Sequence, residues 1–181
     1  MKIILIILIT LITLQADIKQ NMFNLYQNKK YDQVCNIGFE NLNKYKNDES
    51  FISLYAFSCL KSDYIDRLAI PIAILKKSKE SRSNSAFFSV ILMQKKLLYH
   101  SLVDGYNLSE LNLPTTKYIL SEVFDLYSKI GKHKKRAFYL FENKTNNNIT
   151  YKLYLVKSET FDKMVIEEFY DNVMVKRHIY W

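Results

Sequence analysis

The sequence predicts an α+β protein, built of antiparallel helical hairpins followed by a small antiparallel β-meander. Three observations lead there. From Ile18 to about Ile130, apolar residues recur at steps of three and four, the period of a helix with one buried face. From Ala137 onward the period changes to short runs rich in Tyr, Phe, Val and Ile, separated by polar breaks. With 3 Gly and 2 Pro in 181 residues, long irregular segments are not expected.

The first residues stand apart. Lys2 supplies a positive charge, Ile3 to Leu14 is a run of Ile, Leu and Thr, and Gln15-Ala16-Asp17 turns polar. A membrane-spanning helix needs about 20 apolar residues, and this run is shorter. A charge, a short apolar core and a small-residue exit are the features of a signal peptide. Residues 1–16 are therefore expected to direct export to the periplasm and to be cleaved near Ala16. A helical region over 17–131 and a β region over 132–181 would remain. No later stretch has the length and apolar character of a span, so the exported part is expected to be soluble.

Within the helical region, Ile18, Met22, Leu25 and Tyr26 form one stripe, ended by Lys29-Lys30. Tyr31, Val34, Cys35, Gly38, Leu42 and Tyr45 form the second. Lys46-Asn47-Asp48 breaks the pattern, with Asp48 suited to cap the next helix and Glu49 to its first turn. Ile52, Tyr55, Ala56 and Cys59 form the third stripe. Ser62-Asp63 restarts the chain, with Asp63 a candidate cap before the apolar run Ile70 to Leu75. Ser83 to Leu102 continues in helical style through Phe87, Phe88, Ile91, Leu92, Leu98, Tyr99 and Leu102. Gly105 to Leu113 reads as a loop. Pro114-Thr115-Thr116 is expected to open a last helix with Ile119, Leu120, Val123, Phe124, Tyr127 and Ile130 on its buried face, and Gly131 to stop it.

Strands are expected at 137–142, about 149–157, 164–170 and 173–180. Asp171-Asn172 suits a two-residue hairpin turn, since both residues tolerate positive φ. The sheet is expected to pack on the last helices, either capping the open end of the helical array or presenting an edge or aromatic face to a partner.

Cys35 and Cys59 are the only cysteines. Asn47, at the centre of the loop between their helices, is twelve residues from each. In an antiparallel helix pair, positions equidistant from the turn lie side by side, and both cysteines fall on apolar stripes. A disulfide is expected, worth roughly 3 kcal/mol in the chain-entropy model.

Shifted by 33 residues, Tyr31 falls on Tyr64, Cys35 on Leu68, Ile37 on Ile70, Phe39 on Ile72 and Leu42 on Leu75. A helix–turn–helix period near 34, and the turn-like segment Leu25 to Asp32, resemble tetratricopeptide repeats over about residues 17–78. Two positions depart from that pattern. The small residue of the second helix is Cys35 in one unit and Leu68 in the other, and Pro71 sits mid-helix, where it kinks or restarts the helix. In its overall organisation the chain also resembles small accessory components of polar flagellar motors in spiral bacteria. That resemblance implies a periplasmic scaffold that helps build the disks or cages bracing the stator units.

The chemistry-bearing residues are few. His100, His133 and His178 match no nucleophile or zinc motif. No glycine-rich phosphate loop is present. Asp63/Asp66 reads as helix capping, and Glu167/Glu168 lies in a strand whose neighbouring side chains point to opposite faces. No catalytic residue, cofactor or metal is expected. Lys132-His133-Lys134-Lys135-Arg136 is the densest basic cluster in a chain with 26 Lys+Arg against 18 Asp+Glu. Lys132, Lys134, Lys135 and Arg136 are the candidate contacts for an anionic partner, either wall polymer or lipid head groups. Export disfavours nucleic acid. The composition and architecture together predict a non-enzymatic adaptor for envelope proteins, with an anionic-polymer module as the alternative.

Overall fold

A computed structural model describes residues 18–130 and 136–181. The expected signal peptide and Gly131 lie outside the described residues. The architecture is α+β, with seven helices followed by a four-stranded antiparallel sheet. The chain divides into two compact units, residues 1–85 and 86–181.

The first unit begins with α1 (residues 18–27), whose Met22 is fully buried. Next come α2 (Tyr31–Glu40), the short α3 (Leu42–Tyr45) and α4 (Glu49–Lys61). The Asp48 side chain accepts the Phe51 N–H at 3.1 Å, so this N-cap forms where the sequence placed it. Beyond α4, a 3₁₀ turn (Ile65–Leu68) leads into α5 (Ala69–Ile74). Pro71 is buried in the first turn of α5, where its missing N–H has no helical acceptor to lose. The proline restarts the helix at that point.

The buried faces of α2 and α4 meet through Val34, Cys35 and Gly38 on one side and Ile52, Tyr55, Ala56 and Cys59 on the other. The Cys35–Cys59 disulfide is formed, with Cα atoms 4.8 Å apart. A Cβ added at Gly38 would lie 2.5 Å from Tyr55 Cδ2 and 2.8 Å from Tyr55 Cβ. Only glycine lets the two backbones come this close. Burial pushes the Tyr55 phenol up to about 12, and its hydroxyl donates to the Arg67 carbonyl at 3.4 Å.

The turns ending α1 and α4 are the same turn. Lys29 (φ 59) and Asp63 (φ 64) are both left-handed. The residues after them, Lys30 and Tyr64, share φ near −80 and ψ 58. Lys30 N–H bonds the Leu25 carbonyl and Tyr64 N–H the Cys59 carbonyl, while Lys29 bonds Tyr26 and Asp63 bonds Leu60. This paired hydrogen bonding defines a Schellman stop. The offset between the two turns is 34 residues, one more than the apolar pattern gives. Asp63 thus occupies the left-handed position of the turn, and Tyr64 precedes the 3₁₀ element.

A second device joins α4 to the start of α6 (Lys79–Asp104). The Glu49 carboxylate accepts the backbone N–H groups of Lys76, Lys77 and Ser78 at 2.9, 2.7 and 3.1 Å. The Lys77 N–H leads, with desolvation opposing and Lys76, Ser81 and Ser78 adding to it, in holding the Glu49 carboxyl at about 2 against an ordinary 4.5. The Ser78 hydroxyl accepts the Ser81 N–H at 3.0 Å and caps α6.

In the second unit, α6 buries Phe88, Ile91, Gln94, Lys95, Leu98 and Ser101, with Phe87, Leu92, Tyr99 and Leu102 at its half-buried margins. Gly105 (φ 76) ends it, and Leu108 anchors the following loop in the core. α7 (Ile119–Ser128) buries Leu120, Val123, Phe124 and Tyr127. It starts later than Pro114-Thr115-Thr116 suggests. Thr116 N–H is held by the Ser121 hydroxyl at 2.8 Å, so this segment forms a turn ahead of the helix. Ile130, expected on the buried face, lies beyond the helix end and is exposed.

The strands are β1 (Tyr139–Glu142), β2 (Ile149–Val156), β3 (Lys163–Tyr170) and β4 (Val173–Tyr180), in the order β1-β2-β3-β4. All neighbours are antiparallel. Asp171 (φ 48) and Asn172 (φ 66) make the expected tight turn. The inner face of the sheet packs on α6 and α7. Tyr139 meets Tyr127 edge-on at 5.0 Å, Tyr151 donates to Glu122 at 2.7 Å, and Tyr99 donates to the Asp162 carbonyl at 2.8 Å. The buried Lys95 ammonium donates to the Trp181 main-chain oxygen.

Two consequences can be measured. Gly38→Ala forces α2 and α4 apart and is expected to destabilise the protein by about 1–3 kcal/mol, read as a lowered denaturation midpoint with the disulfide intact. The folded-state pKa of Glu49 lies below its unfolded value, so its stabilisation is complete above pH 4.5 and fades as the pH falls towards 2. Glu49→Gln is expected to lower Tm at pH 7, and its gap from the parent protein should close between pH 4.5 and 2.

Candidate functional site

The structure brings one pair of sequence-predicted residues together, Cys35 and Cys59, in the buried disulfide between α2 and α4. The Arg67 guanidinium lies 3.3 Å from Cys35 Sγ, donates to Asn36 Oδ1 at 2.8 Å, and rests on the Phe39 and Tyr64 rings at 4.8 and 4.7 Å. This is a packed structural clamp.

Of the basic cluster, Lys132, His133, Lys134 and Lys135 lie outside the described residues. Arg136 is exposed, 5.8 Å from the Tyr139 ring centre. It lines a cleft of about 350 Å³ in the second unit, together with Ser101, Tyr127, Tyr139, Tyr154 and Lys157. The Tyr127 phenol in its wall is pushed up to about 12, chiefly by burial. With Arg136 and Lys157 at its mouth and neutral hydroxyls behind, this cleft suits an anion better than a cation.

The other candidate residues are accounted for locally. His100 pairs with Asp104 at 2.7 Å on the exposed side of α6 and stacks on Tyr106. His178 is buried beside Tyr180. Among the described residues no group of three or more His, Cys, Asp or Glu could hold a metal ion. None of the described helices is long and apolar enough to cross a membrane.

Sequence reasoning did not single out the outer face of the sheet. Register places Leu140, Lys152, Glu167 and Arg177 in one row across the four strands, and Tyr154, Val165 and Ile179 in the next. Residues paired in register share a face, so these side chains all project away from the helices. Glu167 sinks into this face. Its carboxylate accepts from Tyr154 Oη at 2.9 Å and from Arg177 Nε and Nη2 at 2.9 and 2.5 Å. Burial works to raise its pKa, but the Arg177 and Tyr154 hydrogen bonds outweigh this and hold it below the usual carboxylate range. Lys152 caps the row, lying over the Phe138 and Tyr154 rings at 5.0 and 5.3 Å.

Around this ionic centre the face is apolar and open. Leu140 is 64% exposed, Met174 49% and Ile179 38%, with Phe138, Val156 and Trp181 similarly open. β4 also forms a free edge of the sheet, and its first five residues, Val173 to Arg177, are all exposed. The signal for this surface is in the sequence. β4 reads Val-Met-Val-Lys-Arg-His-Ile-Tyr, whose apolar residues do not alternate with polar ones as a half-buried strand requires. Comparison of the chain with protein-family models, with curated proteins and with solved structures gave no match.

Proposed function

We propose that the protein is an exported, non-enzymatic adaptor that binds other envelope proteins through the outer face of its β-sheet. The open apolar face carries this reading. Large apolar side chains gathered on one exposed surface and centred on a satisfied ion pair are a feature of protein-binding sites. The short apolar N-terminal segment and the disulfide both accord with an oxidising compartment outside the cytoplasm. The twin helical turns at a 34-residue offset accord with a repeat-like scaffold.

The test is site-specific photocrosslinking in cells. A photoreactive residue at Leu140 or Ile179 is expected to trap discrete protein adducts, and the same residue at exposed Lys29 is expected to trap none. Equal labelling from all three positions, or none from the sheet, overturns the reading.

Binding of an anionic wall polymer or lipid head group is the second reading, favoured by the Arg136 and Lys157 side chains at the mouth of the cleft. Pelleting of the protein with purified wall or acidic vesicles, abolished by neutralising Lys132, Lys134, Lys135 and Arg136, would replace the adaptor proposal with this one.

The particular assembly proposed is the flagellar motor, as a component of its periplasmic disks or cages. Deletion is then expected to impair swimming in soft agar and leave the growth rate unchanged. Normal swimming in the deletion strain removes the motor from the proposal.

A further inference from the structure

Resting on the adaptor reading, and naming how its partner is held, we propose that the free edge of β4 receives an extended partner strand carrying two adjacent carboxylates flanked by apolar residues. The argument begins with the unused backbone. β4 has eight residues and pairs only with β3, so on its other side alternate N–H and C=O groups face outward. β1, the other edge, has four residues and ends on Glu142. The longer edge offers more ladder hydrogen bonds and carries no carboxylate.

The charge on β4 selects the occupant. Lys176 and Arg177 sit at the middle of the strand and, as neighbours, project from opposite faces. A second copy of the chain is a poor fit. Antiparallel pairing of two β4 strands over their full length sets Lys176 opposite Arg177 of the other copy, twice over. Like charges placed directly opposite destabilise a ladder. Two carboxylates at those positions relieve this on both faces.

The molecule already contains the complementary pattern. β3 places Glu167 opposite Arg177 and Glu168 opposite Lys176, with Met164, Val165 and Ile166 on one side of the pair and Phe169 and Tyr170 on the other. A partner strand of that type would repeat on the free side of β4 what β3 does on the paired side. Its apolar residues on the outer face would extend the open surface of Met174 and Ile179. Main-chain hydrogen bonds would supply affinity, and the central charges would fix the register.

The test uses the purified protein with its disulfide intact and a blocked octapeptide, Val-Thr-Val-Glu-Glu-Val-Thr-Val. The counterpart peptide has Lys-Lys at the centre. Trp181, the only tryptophan, directly follows β4 and reports occupancy by its fluorescence. The acidic peptide is expected to bind saturably and at least tenfold more tightly than the basic one. It should slow amide hydrogen exchange within 173–180 while leaving 139–142 unchanged. In Lys176→Glu the preference is expected to shrink at least tenfold; Lys176→Gln, which adds no repulsion against Glu168, should show a smaller loss in the same direction.

Equal affinity for the two peptides overturns the proposal, as does protection of β1 in place of β4. Absence of binding to a folded protein overturns it too, and so does a dimer whose β4 amides are already protected. Photocrosslinks from Leu140 together with no peptide binding would sink strand addition and leave the adaptor reading standing. Loss of both would remove the two together.

Discussion

The close contact of α2 with α4 is the constraint on which the first unit rests. Four side chains define it: Gly38, Tyr55 and the Cys35–Cys59 pair. With no Cβ at Gly38, the Tyr55 side chain drops against the α2 backbone, and the two cysteines one turn away come within disulfide reach. The covalent bond contributes roughly 3 kcal/mol by restricting the unfolded chain. It also fixes the helices at the spacing that the glycine permits. The rest follows from that spacing. Tyr55 reaches the Arg67 carbonyl, Arg67 folds back over the disulfide and the Phe39 ring, and the 3₁₀ turn into α5 is held against α4. Glu49, at the other end of α4, ties the start of α6 to the same helix. One helix is thereby fastened at both ends and its middle.

The second unit is organised by a sheet with unlike faces. Inward, Tyr139, Tyr151, Leu153, Ile166, His178 and Tyr180 are buried and exchange polar contacts with the helices. Outward, one buried carboxylate is wrapped by its own arginine and tyrosine amid exposed apolar groups. A buried charge is costly unless it is paired and hydrogen-bonded, and Glu167 meets both conditions through Arg177 and Tyr154. The local price of keeping Glu167 there is a fixed orientation of Arg177 on the edge strand. An edge residue so oriented gives β4 a defined electrostatic surface.

Much of this architecture is legible in the sequence because the signals are local. Asp48 caps α4 because its short carboxylate can reach the Phe51 N–H. Asp171-Asn172 turns the chain because both residues accept left-handed geometry. The strands lie within two residues of their expected limits because polar breaks bound them. The disulfide is legible from distance to the turn alone. What escapes is non-local or backbone-encoded. The two Schellman stops align at 34 residues, but their left-handed positions hold Lys29 and Asp63, which share no chemistry, so side-chain matching settles on Tyr31 over Tyr64 at 33. The start of α7 escapes because Ser121 reaches back to Thr116, a contact that period alone does not indicate. The outer face of the sheet escapes because exposure depends on which elements are absent from that side, and no residue announces an empty neighbour.

An exposed edge strand with an apolar face is ordinarily a hazard, and the two central cations of β4 resolve it in a particular way. Proline or a very short strand would close such an edge to every partner alike. A Lys-Arg pair works differently. It leaves the ladder groups free and opposes only those partners that bring positive charge, foremost another copy of the same strand. The opposition is electrostatic, so it becomes attraction for a strand of opposite charge. The same two residues therefore keep copies of this chain apart and discriminate among other strands. A surface needing protection alone has no use for that selectivity, and a short edge such as β1 manages without it.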